Sequence, residues 1–280
     1  MLELPALSGD LLLKIVVITA IGVVSLLLKT ASLSGFVAGM ILGGVVIVFG
    51  GWDAFIVIAF FHVVAAAFTR FRYEKKRRMG VAQEKGGARG WGNVVANGAW
   101  AAAAVGFESI VGGRGFVGAY LASVSTGLAD TLATEIGLLS RREPRLITDL
   151  RKTVERGASG GVTPLGTSVA LLASATIGAL AVALTGPIGV DGMLAGTPAS
   201  TMLLTSVVGG LVGTTADSII GATVQGMYVC ESCGKTTEKR VHCGIPSRRI
   251  RGHPFIDNNV VNFTSIFVSF VIGYALASWI

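Results

Sequence analysis

The sequence predicts an all-α, polytopic membrane helix bundle of about eight transmembrane helices, and three observations predict it. Hydrophobic residues make up 52% of the 280 positions and charged residues 14%, with a mean hydropathy of +0.70, which excludes a soluble globular chain. Apolar segments of about 18 residues or more recur, long enough to cross about 30 Å of hydrocarbon. Twenty of the 23 Lys and Arg residues fall in the stretches 70–89, 141–156 and 235–251. Positive charge between apolar spans marks the cytoplasmic side of a bilayer, so these three stretches share one face.

The spans expected in order are 11–28, 33–50, 52–68, 93–111, 115–139, 165–184, 194–222 and 259–280. The whole chain, 1–280, reads as a single transmembrane domain with cytoplasmic loops at about 69–92, 140–164 and 227–258. Those loops follow odd-numbered spans, which puts both termini outside the cytoplasm and Lys29 inside; Lys14 and Arg114 fall near the outer interface, where long side chains snorkel. Met1 to Asp10 contains Glu3 and Asp10 and no basic segment, so the first span is expected to be retained rather than cleaved. Glycines inside spans, such as Gly43, Gly118 and Gly209, point to close helix packing. Thr163-Pro164 is an N-cap followed by Pro at the first helical position, which starts the sixth span. The net charge of +7 fits topology and an anionic lipid surface; with no aromatic-interleaved basic patch, no nucleic-acid partner is expected.

Polar groups inside the spans carry the functional argument. Asp130 and Asp217 lie in the fifth and seventh spans, and Glu135 lies beyond Asp130. A carboxylate there costs several kcal/mol unless it faces a cavity, a partner or a metal. Asn93 and Asn97, and again Asn258 and Asn262, form i, i+4 stripes at the start of two helices, with Asp257 just before the second. Polar glue between helices would explain one such residue; this many at one depth predict a site at the cytoplasmic end. The segment Arg156-Gly157-Ala158-Ser159-Gly160-Gly161 is a glycine turn of the kind that lets backbone N–H groups approach an anion, with Lys152 and Arg156 supplying charge. Cys230-x2-Cys233-x8-His242-Cys243 offers four zinc-type ligands, against the alternative of reduced thiols in a cytosolic loop. Gly113-Arg114-Gly115-Phe116-Val117-Gly118 matches GxGxxG but lies in a turn between spans, so no dinucleotide fold is expected.

Five segments together resemble one integral-membrane family, the one that includes plant phytyl-phosphate kinase and the transmembrane protein nineteen of animals. They are Asn93-x3-Asn97-Gly98, Gly127-x-Ala129-Asp130-Thr131-x2-Thr134-Glu135-x-Gly137, Arg156 to Val162, Ala216-Asp217-Ser218-x2-Gly221-Ala222-x2-Gln225, and Asp257-Asn258-x3-Asn262. The resemblance covers about residues 30–275 and implies phosphorylation of an isoprenoid monophosphate to its diphosphate, with CTP or another nucleoside triphosphate as donor. It departs at Thr134, where Ser is more usual, and at Ala158-Ser159. The expected catalytic set is then Asp130, Asp217, Glu135 and Lys152, with Asp130 and Asp217 holding Mg²⁺. Nucleotide and phosphate contacts are expected from Asn93, Asn97, Thr131, Thr134, Arg156, Gly157, Ser159, Gly160, Gly161, Ser218, Asp257, Asn258 and Asn262. Separately from the resemblance, Cys230, Cys233, His242 and Cys243 are read either as the ligands of a structural Zn²⁺ or as reduced thiols. The alternatives are a CTP-dependent transferase or kinase acting on a lipid alcohol, a multi-pass transporter of a phosphorylated lipid or cation, and a silent membrane scaffold. Against the transporter, the outer halves of the spans read as nearly bare of polar groups.

Overall fold

The computed structural model describes residues 9–280. The retained N-terminal stretch expected from Met1 to Asp10 therefore lies almost wholly outside the described residues. Helices stand where the spans are expected: α1 Gly9–Leu27, α2 Leu33–Phe49, α3 Gly51–Arg70, a short α4 Tyr73–Arg78, α5 Trp91–Val111, α6 Arg114–Gly137, α7 Pro164–Thr185, α8 Ala199–Thr223 and α9 Asn258–Trp279. Six of them are long and apolar enough to cross a membrane, rather than all eight long ones. The exceptions are α2, at 17 residues, and α6, whose composition is too polar.

The reason for the second exception is position. Helix α6 packs against α3, α5, α7, α8 and α9, and every residue from Val117 to Ala129 is buried. A helix surrounded by protein has no need of an apolar exterior. Two of its hydroxyls bond locally: Ser123 Oγ donates to Ala119 O at 2.7 Å, and Thr126 Oγ1 donates to Ala122 O at 3.0 Å and contacts Ser269 Oγ at 2.8 Å, while Ser125 Oγ is buried without a partner among the described residues. Backbones touch where α6 meets α9, and a Cβ on either Gly118 or Gly273 would strike the other's carbonyl.

The chain is mostly helical and not all-α. Short strands occupy the basic loops, where a polar backbone outside any helix must pair to be satisfied. β1 Arg145–Leu146, β2 Asp149–Thr153 and β3 Gly161–Val162 form an antiparallel sheet of order β2-β1-β3. β4 Met227–Val229, β5 Thr236–Thr237 and β8 Arg248–Arg251 form another of order β5-β4-β8, and β6 Val241–His242 pairs with β7 Ile245–Pro246. The loops meet at one end of the bundle. Gln225 bridges His253, and Arg251 donates to Ser159 O at 3.2 Å and to Ala222 O at 2.5 Å, capping α8. Thr163 caps α7 as expected, accepting from Gly166 N at 3.0 Å.

The opposite end is not bare, which corrects that expectation. Asp53 is fully buried and accepts from Ala54 N at 2.5 Å and Leu194 N at 3.0 Å. Those bonds tie the α3 start to the segment before α8. Lys14 pairs with Asp10 at 2.9 Å at this end as well.

Candidate functional site

The two asparagine stripes and one of the two aspartates meet at the basic-loop end. With its amide nitrogen turned toward Asp217, Asn262 of α9 donates to Asp217 Oδ2 at 3.0 Å and to Asn258 O at 3.1 Å, and its oxygen accepts from Asn97 Nδ2 of α5 at 3.3 Å. Asn97 Nδ2 also reaches Asn93 O at 2.9 Å. Ser265, three residues beyond Asn262 on the same face, adds a donor to Asp217 Oδ2 at 3.2 Å. Two side chains of α9, one of them held by Asn97 of α5, thus fix one carboxylate oxygen of Asp217, and the other makes no hydrogen bond among the described residues.

Asp130 of α6 makes no hydrogen bond or ion pair among the described residues, yet lies within electrostatic reach of Asp217 and of Arg89. Asn93 Oδ1 is buried without a donor. The cluster therefore holds an excess of oxygen acceptors: two mutually repelling carboxylates and an orphaned amide oxygen. Such a set suits a hard divalent cation, so Asp130 and Asp217 fit Mg²⁺.

The other expected residues are placed differently. Glu135 forms a buried ion pair with Lys76 Nζ at 2.5 Å, and the same ammonium donates to Phe68 O and Thr69 O at 3.1 and 2.8 Å. Thr131 donates back to Gly127 O at 2.8 Å, Thr134 is exposed, and Ser218 is half-buried next to Asp217. Lys152 stands exposed on strand β2, 3.5 Å from Asp149. Arg156 donates to Leu138 O at 3.1 Å and Ser140 O at 2.5 Å, binding its loop to the end of α6. Asp257 caps α9 by accepting from Val260 N at 3.0 Å, and Asn258 opens the helix.

The glycine turn is pressed onto the end of α8. Gly157 and Gly160 have φ of +82° and +81°, and a Cβ on Gly160 would collide with Ala222. Ser159 Oγ lies 2.5 Å from Gln225 Oε1, and Gly161 N donates to Ala158 O at 3.0 Å. The turn thus sits one helical turn from Asp217, with part of its N–H complement used internally.

The ligand atoms of Cys230, Cys233, His242 and Cys243 all lie within 4.8 Å of one another, a cluster that could bind a metal. Adjacency of His242 and Cys243 is no obstacle, because Cys243 and Gly244 take φ of +53° and +77° in the two-residue β6–β7 turn and fold the thiol back toward the imidazole. Cys243 Sγ and Cys233 Sγ lie 3.2 and 3.5 Å from His242 Nδ1. The bond with His242 draws the Cys230 thiol down to about 6, while the Cys233 thiol helps push Cys243 up to about 11. Sulfur atoms this crowded ionise together only when a cation neutralises them.

Four residues of the site's surroundings went unnoticed in the sequence. Ser265 was legible as i+3 from Asn262. Lys76, Arg89 and Arg251 carry no such mark: each is one cation among many in a basic loop.

Comparison with known proteins adds the following. The family described as Integral membrane protein DUF92 matches residues 16–270. Protein PGR of Arabidopsis thaliana is 30% identical over 262 residues, covering 86% of this chain and 87% of PGR. An uncharacterized membrane protein of Methanocaldococcus jannaschii is 30% identical over 194 residues, 67% of this chain and 72% of the relative. Protein VTE6, chloroplastic, of Arabidopsis thaliana is 31% identical over 209 residues, 71% of this chain and 58% of VTE6. No solved structure matches.

Proposed function

The chain belongs to the DUF92 family of integral membrane proteins, and from that premise we propose that it is a nucleotide-dependent kinase converting an isoprenoid monophosphate to its diphosphate. The observation that carries the proposal is the meeting of Asp217 with Asn97, Asn262 and Ser265 beside Asp130, at the end of the bundle where the glycine turn lies. The resemblance to the family of plant phytyl-phosphate kinase supplies the reaction class. In this reading α2 and α6 cross the bilayer with the other six long helices, and positive-inside charge makes the basic-loop end cytoplasmic.

In the reaction, an unesterified oxygen of the prenyl monophosphate attacks the terminal phosphorus of the nucleoside triphosphate. A new P–O bond forms, the bridging P–O bond to the next phosphate breaks, and the nucleoside diphosphate leaves with the electron pair. A phosphate monoester has a second pKa of about 6, so its attacking oxygen needs no general base near neutral pH. Transfer then depends on positioning and charge neutralisation. A magnesium ion, when bound, neutralises the donor phosphates, and Asp130 and Asp217 would hold it. Asn97, Asn262 and Ser265 aim the Asp217 carboxylate. Lys76 and Arg156 act as positioning residues, since they hold α3 and the glycine-turn loop against α6. An alcohol acceptor would instead need a base, and Asp130 is the carboxylate of this cluster that makes no hydrogen bond among the described residues.

The test uses detergent-purified protein. CTP or ATP with Mg²⁺ raises the melting temperature, and mass spectrometry of a panel of prenols and prenyl phosphates finds diphosphates from the phosphates alone. No nucleotide-dependent stabilisation, together with no diphosphate from any acceptor, would overturn the proposal.

The cysteine cluster is read as a structural zinc site that ties the end of β4 to the β6–β7 hairpin, and so steadies β8, which pairs with β4 and carries Arg251 to the end of α8. Purified protein should hold about one zinc per chain, the expectation for a closed four-ligand site. Cys230→Ser with Cys233→Ser should lose the zinc and lower the melting temperature, as measured by elemental analysis and thermal unfolding. Thiols that stay metal-free in zinc-supplemented, reduced protein would refute it.

A further inference from the structure

A cavity of about 130 Å³ lies between α1, α2, α3 and α5. Its walls are mostly apolar, with Ile18, Phe36, Met40 and Phe55 among them, but Arg89, Asn97 and the pair Ser25 and His62, 2.9 Å apart at Oγ and Nε2, also line it. Arg89 and Asn97 belong to the basic-loop end. A Cβ on Gly35 at the start of α2 would strike Arg89 O, whereas Gly43, two turns along, faces Ile18 and Phe55. The cavity therefore runs from a cationic mouth into an apolar interior.

Arg89 is held for a purpose other than packing. Its backbone N donates to Thr30 O at 2.9 Å, and its carbonyl accepts from Ser32 N at 3.0 Å, a strand-like bridge that fixes it beside the first turn of α2. Its guanidinium lies 5.9 Å from the Phe61 ring centroid and makes no hydrogen bond or ion pair among the described residues. Glu135, one of the two acids within its electrostatic reach, is already committed to Lys76. Burial lowers the pKa of Arg89 from its usual value, against the pull of Glu135 and Asp130. Taking a guanidinium out of water costs several kcal/mol unless an anion meets it. Five donors in a rigid fork, with none engaged among the described residues, match a phosphate above other anions. Helix α5 begins two residues on, at Trp91, whose N–H donates to Ser34 Oγ at 3.4 Å, and directs its remaining N-terminal N–H groups to the same region.

We infer that this cavity is the acceptor site: the Arg89 guanidinium holds the phosphate of a prenyl monophosphate and the apolar slot between α1, α2, α3 and α5 takes the start of its isoprenoid chain. This deepens the kinase reading and rests on it for the identity of the ligand. The geometry connects the two sites, because Asn97 lines the cavity and also reaches Asn262, which reaches Asp217. A phosphate on Arg89 faces the cation-holding carboxylates across one asparagine. Helix α1 is largely exposed, so the chain enters sideways from the bilayer.

The test measures binding without turnover, by thermal shift of the full-length protein with no nucleotide present. Geranylgeranyl phosphate should stabilise it, while geranylgeraniol and inorganic phosphate should not. Arg89→Ala should weaken geranylgeranyl phosphate binding about tenfold or more, as expected for lost charge-assisted bonds, and Arg89→Lys should recover part of it. Stabilisation by CTP with Mg²⁺ should be unchanged in both. Gly39 lines the slot and its Cβ would meet nothing within 4 Å, so Gly39→Leu folds but fills the space. It should weaken geranylgeranyl phosphate more than geranyl phosphate, and it tests the slot even if Arg89→Ala does not fold. Wild-type binding in Arg89→Ala or Arg89→Lys, equal stabilisation by inorganic phosphate, or loss of the CTP response instead would overturn the inference. Failure of the kinase reading looks different: these binding results would hold while no nucleotide yields a diphosphate.

Discussion

Asp130→Asn reduces diphosphate formation about a thousandfold or more, the scale expected when a principal charge-stabilising group leaves a phosphoryl-transfer site. The protein still inserts and melts at or above the wild-type temperature. Both halves follow from the same geometry. The Asp130 carboxylate makes no hydrogen bond among the described residues, so an isosteric amide breaks none, and the relief of its repulsion with Asp217 offsets the lost attraction to Arg89. Asp217→Asn loses activity as well, but it also disturbs the bonds from Asn262 and Ser265 and lowers stability. Product formation by mass spectrometry, read beside thermal unfolding, separates the two variants. Asp130→Asn with near-normal turnover would remove the carboxylate pair from the mechanism.

Glu135→Gln destabilises the protein by about 3–5 kcal/mol, the usual result of stripping one partner from a buried ion pair. Lys76 is 1% exposed and Glu135 3% exposed, so the abandoned ammonium has no water to turn to. Lys76→Met has a comparable effect and also uncaps the end of α3, where the ammonium holds two carbonyls. The double variant Lys76→Met with Glu135→Leu recovers most of the loss, because the cost lies in the uncompensated charge. Thermal or denaturant unfolding in detergent checks the series. A Glu135→Gln protein as stable as wild type would show that the pair is solvated.

The long helices were legible because apolar length is written directly in composition. Their ends were legible to within a few residues wherever a cap is spelled out, as at Thr163-Pro164 and Asp257. The strands were not, since two-residue strands such as β1 and β3 have no periodicity to detect. The acid–amide cluster could be anticipated from its cost: carboxylates and asparagines in spans need partners, and the stripes of α5 and α9 do meet through Asn97 and Asn262. What burial does to a cation could not be read. Lys76 and Arg89 look like Lys75 and Arg77, yet the first two lie inside contacts while Arg77 pairs at the surface with Glu74 at 2.7 Å. The Cys/His cluster is legible from its residue types, but its closeness is not, because the left-handed backbone at Cys243 that brings the adjacent His242 and Cys243 together leaves no mark in the spacing.

The enclosure of α6 bears on how the protein responds to the bilayer. A helix in contact with lipid adjusts its tilt when the hydrocarbon layer thickens or thins. Along Val117–Ala129 α6 meets only neighbouring helices, and its contact with α9 at Gly118 and Gly273 leaves no slack. The vertical level of Asp130 is therefore fixed by protein contacts and insensitive to acyl-chain length in the surrounding membrane.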